Sequence, residues 1–249
     1  MKIFTILISL VLLSSCSSYS GPKDDVYIKS VNVLKDELQR ASELGVPYVV
    51  THLGSHLGHG KMEGFKRIAK AVNYSFLSVE NDVILLLENT AGTKNSMGSA
   101  FEDIAHISSN IKIRDRIGVC FDTSHAFAAG YDLVSHAAVQ HTLQHFNEAV
   151  GLDSLKLVHL NDSKGALGSK VDRHEHIGMG RIGENGFRNI LQSKLGELPL
   201  ILETPIDQRR NDVENLEKVR KLAEEDIRAS KSDNKRDALA ASGNLYLAN

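Results

Sequence analysis

The chain has 249 residues, enough for one large domain or two small ones with a sizeable buried core. Apolar residues make up 42% and charged residues 24%, which excludes a disordered or fibrous chain, and the net charge of −2 excludes polyanion binding through bulk charge. Two cysteines exclude a disulfide framework and a Cys-rich zinc site, whereas eleven histidines point to His/carboxylate metal chemistry.

The N-terminus reads Met1-Lys2, an apolar run Ile3–Leu13 and then Ser14-Ser15-Cys16. A short charged start, an apolar stretch and small residues form the layout of a secretory signal, and the run is too short to span a bilayer as a helix. Leu13–Cys16 resembles a bacterial lipobox, in which a lipidated Cys16 would anchor the chain to a membrane and Ser17–Pro22 would be the tether. Residues 1–24 are therefore expected to be a signal-like segment and tether, 25–225 the folded body, and 226–249 a polar tail.

From Asp25 onward, Val31, Leu34, Leu38, Ala41 and Leu44 recur at helical spacing, and Gly45 marks the helix end. A β-rich run follows at Pro47–Thr51. Further strands are expected at Val83–Leu87, Ile117–Phe121, Leu155–Val158 and Leu198–Leu202. Helices are expected between them, near Gly64–Val79, Phe101–Ser109, Ala137–Val150 and Gly186–Lys194. Near-continuous apolar strands alternating with helices predict an α/β fold with a parallel sheet covered by helices.

The residue just past each apolar run is His52, Glu88, Asp122, His159 or Glu203. These lie roughly 35–45 residues apart, the length of one βα unit. In a (β/α)8, or TIM, barrel such strand ends converge on one face. Two more pairs lie just beyond: His125 after Asp122, and Asp172 with His174 after His159. Imidazoles and carboxylates without thiolate suit Zn²⁺, with Mn²⁺ or Fe²⁺ as alternatives. Eight ligands exceed the needs of one ion, and Glu88 is suited to bridge two. Paired divalent ions activate water and clamp the attacking and leaving oxygens of a phosphoryl displacement. The reaction class this predicts is metal-assisted hydrolysis of a phosphodiester.

The segments Leu87–Gly92, Phe121–Asp132, His159–Lys164, Asp172–Gly180 and Leu202–Thr204 resemble the endonuclease IV family, over roughly Pro22 to Ala223. The resemblance implies a TIM barrel with three zinc ions that cuts double-stranded DNA on the 5′ side of abasic sites in base excision repair. It implies Glu88, Asp122 and Glu203 as catalytic carboxylates. Glu88 would bridge the first two ions, His52 would serve the first, and Asp122, His159 and Glu203 would complete the second. His125, Asp172 and His174 would hold the third, and Arg173 would touch the DNA backbone. A cytoplasmic location follows from the family, against the membrane anchor suggested by Cys16, and no protein partner is implied.

This sequence departs from the family in two ways. The family barrel begins three βα units earlier, so five of eight strands are expected here: an incomplete barrel, read as an N-terminal truncation in preference to an exported remnant or a chain completed by oligomerisation. The first ion also lacks its second histidine, with only His56 and His59 nearby. Ser124 stands where the family usually has Cys, at a position that is not a ligand. The alternative functions are a sugar isomerase or epimerase on the same barrel, for which Asp172 and His174 would be superfluous, and a non-catalytic lipid-anchored remnant. His106, His136, His141 and His145 read as helix-face residues, His176 as a residue beside the motif, and Cys120 as a small buried hydrophobe.

Overall fold

The computed structural model describes residues 24–224. The signal-like segment with Cys16 and the polar tail lie outside the described residues. Helix α1 (Asp24–Glu43) leads to strand β1 (Tyr48–Thr51). There follow α2 (Lys61–Ser78), β2 (Ile84–Glu88), α3 (Phe101–Ser109), β3 (Ile117–Asp122), α4 (Thr123–Ala129) and α5 (His136–Ala149). The chain continues with β4 (Leu155–His159), a short hairpin of β5 (Asp162–Ser163) and β6 (His174–Glu175), α6 (Gly183–Leu191) and β7 (Leu200–Ile201). A last helix, α7, spans 212–224. Among these residues no helix is long and apolar enough to cross a membrane.

The five major strands form one parallel sheet in the order β1-β2-β3-β4-β7. This matches the five expected strands in position and direction. An eight-stranded barrel closes on itself, whereas the described sheet leaves the outer edges of β1 and β7 without a strand partner. The expected fifth strand is shorter than its apolar run, because only Leu200 and Ile201 pair, with Val158 and His159.

Helix α1 buries the predicted stripe, with Leu34 and Leu38 at 1% exposure or less, except at Leu44, which lies one residue past the helix and is exposed. Its end is set by Gly45 at φ +66°, which lets Val46 N–H reach Ala41 O at 2.8 Å and close the last turn. The helices cover one face of the sheet in a continuous core, where Phe101 lies against Phe121, Phe146 and Tyr131. The other face carries a second, smaller cluster of Val50, Leu86, Cys120 and Leu157. These four come from successive strands and point inward, as barrel-interior residues do.

Three elements had no counterpart in the sequence pattern. Helix α4 has only seven residues and starts directly on the last residue of β3, where Asp122 caps it by accepting the backbone N–H of His125 at 2.7 Å. The β5–β6 hairpin is two residues deep, too short for an alternation signal. Helix α7 buries Leu222 and Asn215, while its Val213 and Leu216 are exposed.

Candidate metal centre

Register puts the expected ligands on one rim. Thr51 pairs with Leu87, Glu88 with Cys120, Asp122 with His159, and His159 with Ile201. His52, Glu88, Asp122, His159 and Glu203 thus leave the sheet at one end, the end reached by the loops that follow the strands. The β5–β6 hairpin folds over this rim and brings Asp172 and His174 with it.

Glu88 is the hub. Its buried carboxylate meets His52 Nε2 at 3.1 Å, His159 Nδ1 at 3.0 Å and His125 Nδ1 at 3.4 Å. His159 Nδ1 also lies 3.2 Å from Glu203 Oε2. His125 Nε2 meets Asp172 Oδ1 at 3.2 Å, and His174 Nε2 lies 3.7 Å from Asp122 Oδ2. Three groups of ligand atoms come together: His52, Glu88 and His125; Glu88, Asp122, His159 and Glu203; and Asp122, His125 and His174. Asp172 joins them through His125, so all eight expected ligands are gathered in one cluster. His125 is shared between two groups, so it faces the first group as well as the third.

The donor set fits divalent cations. Four carboxylates face four imidazoles in a largely buried pocket, and the anions require cationic compensation. Without an ion, protons supply it. Burial opposes charge on His125, but Asp122, Asp172 and Glu88 hold its pKa well above the ordinary imidazole value. On His159, burial is outweighed by Glu88 and Glu203, and on His52 by the hydrogen bond and charge of Glu88; both are raised. Burial would lift Glu88, yet His159, His125 and His52 hold it well below the usual carboxylate range. Two buried imidazole nitrogens, His159 Nε2 and His174 Nε2, have no hydrogen-bond partner among the described residues.

Residues that sequence reasoning did not single out hold the expected ligands in place. Asn161 donates to Asp122 Oδ2 at 2.7 Å and to Glu203 Oε2 at 3.3 Å, and its Oδ1 accepts Glu203 N–H at 2.8 Å. Asn89 clamps the Asp122 backbone from both sides, at 2.7 and 2.9 Å, and its carbonyl lies 3.0 Å from His125 Nδ1. Such partners orient ligands, and their loss typically costs 10–100-fold in metal affinity or activity. Asn161→Ala is expected to weaken metal binding by about that factor, read by competition with a chromogenic chelator; unchanged affinity would refute this role.

The remaining candidates fall elsewhere. His56 is turned onto its own loop, where Nδ1 accepts Gly58 N–H at 3.2 Å and Gly60 N–H at 3.3 Å. Neither His56 nor His59 joins a ligand group among the described residues. Arg173 is exposed and donates to Asp172 O at 2.8 Å. Ser124 is buried, and its hydroxyl has no partner among the described residues. Cys120 is fully buried, and burial pushes its thiol up to about 12, which leaves it inert as a nucleophile at neutral pH. His145 is more than a solvated helix residue, since it pairs with Glu102 of α3 at 2.8 Å. His106 packs against Phe65, with ring centroids 4.6 Å apart. His176 is buried and bonded to Asp207 and Asn215, each at 3.0 Å.

The family model of the xylose isomerase-like TIM barrel matches residues 5–232. A probable endonuclease 4 from Methanoculleus marisnigri is 52% identical over 206 residues, which cover 82% of this chain and 73% of that protein. The crystal structure of endonuclease IV from Thermus thermophilus superposes with a TM-score of 0.69 at 38% identity, covering 84% of this chain and 74% of that one. A D-tagatose 3-epimerase-like protein superposes with a TM-score of 0.65 over 84% of this chain and 75% of that one, but at 20% identity it shares the fold alone. The isomerase alternative thus draws no support beyond architecture. On the sequence and structural likenesses together, the chain belongs to the endonuclease IV family.

Proposed function

We propose that this chain is a zinc-dependent endonuclease that hydrolyses the phosphodiester 5′ of abasic sites in duplex DNA. The observation that carries the reading is the convergence of His52, Glu88, Asp122, His125, His159, Asp172, His174 and Glu203 on one rim around a buried carboxylate. Relatives named endonuclease 4 at about half identity support the nuclease class. An all-imidazole and carboxylate donor set supports zinc over softer ions.

Glu88, Asp122, His159 and Glu203 would hold one ion, with Glu88 shared toward His52 and His125. His125, Asp172 and His174 would hold another. Bound divalent ions supply activated water and neutralise the charge that develops on a phosphate in flight. The protein's own part is to fix that geometry and keep it dry. Asn161 and Asn89 lock Asp122 and Glu203, and burial of Glu88, Asp122 and His159 excludes bulk water from their side of the site. Arg173, exposed beside Asp172, would meet the DNA backbone. We assign residues 25–225 to this one catalytic body.

The test is a nicking assay on a zinc-loaded chain with two duplexes that differ only in one abasic site. Cleavage of the abasic duplex alone, immediately 5′ of the lesion and abolished by chelator, is expected. Equal cleavage of both duplexes would overturn the abasic specificity, and full activity with Mg²⁺ alone after chelation would overturn the zinc assignment.

A further inference from the structure

The loop between β6 and α6, residues 176–182, is built around one buried carboxylate that holds no place in the metal centre. Asp162 is fully buried. Its Oδ1 accepts Ser163 N–H at 2.8 Å and Ile182 N–H at 3.0 Å, and its Oδ2 accepts Gly180 N–H at 2.9 Å and Gly178 N–H at 3.0 Å. Gly183 N–H completes the cage at 3.3 Å from Oδ2. Anionic acceptors make the stronger class of hydrogen bond. The loop also closes tightly on the carboxylate: a Cβ on Gly180 would sit 2.5 Å from Asp162 Oδ1 and from Ser163 O. Gly178 and Gly183, at φ +81° and +68°, take backbone conformations that favour glycine.

A loop fixed this firmly holds up two exposed side chains, Met179 and Arg181. Arg181 donates its own N–H to Ser163 O at 2.8 Å, and Ser163 is the ladder partner of His174. Arg181 therefore stands about two strand spacings, roughly 10 Å, from a metal-centre histidine. Its guanidinium forms no hydrogen bond or ion pair among the described residues. Arg173 is exposed on the same hairpin, where its carbonyl accepts Lys164 N–H at 3.0 Å. On a chain of net charge −2, Arg173 and Arg181 are two exposed cations on backbone bonded to Lys164 and Ser163. A planar, uncommitted guanidinium on a rigid backbone suits a phosphate oxygen.

We propose that Arg181 contacts a backbone phosphate of the duplex next to the one being cut, and that Asp162 is the positioning residue that fixes Arg181 there. The proposal rests on the endonuclease reading and goes beyond it by naming a phosphate contact and its support.

The test measures binding of an intact 20-base-pair duplex to the metal-loaded chain by fluorescence anisotropy across salt concentrations, with KM and kcat on the abasic duplex in parallel. Arg181→Ala is expected to weaken duplex binding about tenfold and to make the plot of log K against log salt shallower by about 0.9, the loss of one phosphate contact. KM should rise by a similar factor while kcat stays within about twofold, since the contact is remote from the reacting atoms. Arg181→Lys should restore the slope. Asp162→Asn should reproduce the loss, and combining it with Arg181→Ala should add no further loss of slope, as expected of two residues acting through one contact. Arg181→Ala is a surface change that tests the proposal even if Asp162→Asn fails to fold. Wild-type slope and KM in Arg181→Ala, with the wild-type chain binding and cutting, would overturn this inference alone. A wild-type chain that neither binds nor cuts the abasic duplex would overturn both it and the endonuclease reading.

Discussion

Glu88→Gln is expected to lower cleavage of an abasic duplex by about a thousandfold or more under single-turnover conditions. The change keeps the shape of the side chain and removes only its charge. That charge lies within 3.4 Å of three imidazole nitrogens and belongs to two of the three ligand groups. An amide offers one oxygen and turns an NH2 donor toward the place a cation needs. Losing metal-derived stabilisation costs several kcal/mol of barrier, and about 1.4 kcal/mol is a factor of ten in rate. Circular dichroism should show the variant folded, because the substituted side chain would be surrounded by the same packed strands. Activity within tenfold of wild type, in a chain confirmed to hold the substitution, would refute the role of Glu88 as the shared ligand.

Removal of metal should be the second large effect. Ions held by the native cluster and not by the unfolded chain stabilise by mass action, about 2.7 kcal/mol per site at a free concentration of 100 Kd. For a body of this size, chelation is then expected to lower Tm by roughly 5–10 °C per site lost. Tm should climb again with the logarithm of added zinc.

The effect should also depend on pH. In the metal-free chain the pKa values of His52, His125 and His159 are raised. A raised imidazole pKa stabilises the fold fully below the unfolded value of about 6.5 and loses that contribution as pH rises through the folded value. The same protons compete with metal. The difference in Tm between loaded and stripped chain should therefore widen from pH 6 to pH 8. A Tm indifferent to chelator at pH 8 would remove the case for a metal centre.

The chemistry was readable in the sequence to the extent that it sits at strand ends. A parallel strand buried on both faces is written as an unbroken apolar run, so its first polar residue marks where the chain reaches the rim. Glu88 after Ile84–Leu87 and His159 after Leu155–Val158 are of this kind. Asp172 and His174 were legible differently, through a resemblance carried by a short motif, since the loop that bears them has no periodicity.

What stayed hidden were contacts between residues far apart in the chain. Asn161 reaches Asp122 across 39 positions and Glu203 across 42. Asp162 ties down Gly178 from 16 positions away. A lone Asn or Asp after a strand carries no mark of which partner it will meet. The brevity of α4 and of the β5–β6 hairpin likewise kept them below any periodic signal.

The sequence by itself determined the alternation of five strands and their covering helices, the rim on which the ligands lie, and the His/carboxylate character of the site. These follow from local patterns, because burial of a repeating apolar face is decided by residues close in the chain. Only the tertiary structure decided that His125 serves two ligand groups, that His56 is spent on its own loop, and that Asp162 cages the glycine loop presenting Arg181. Those outcomes depend on distances and donor directions between separate βα units, which are set when the sheet registers and its loops fold back over one rim.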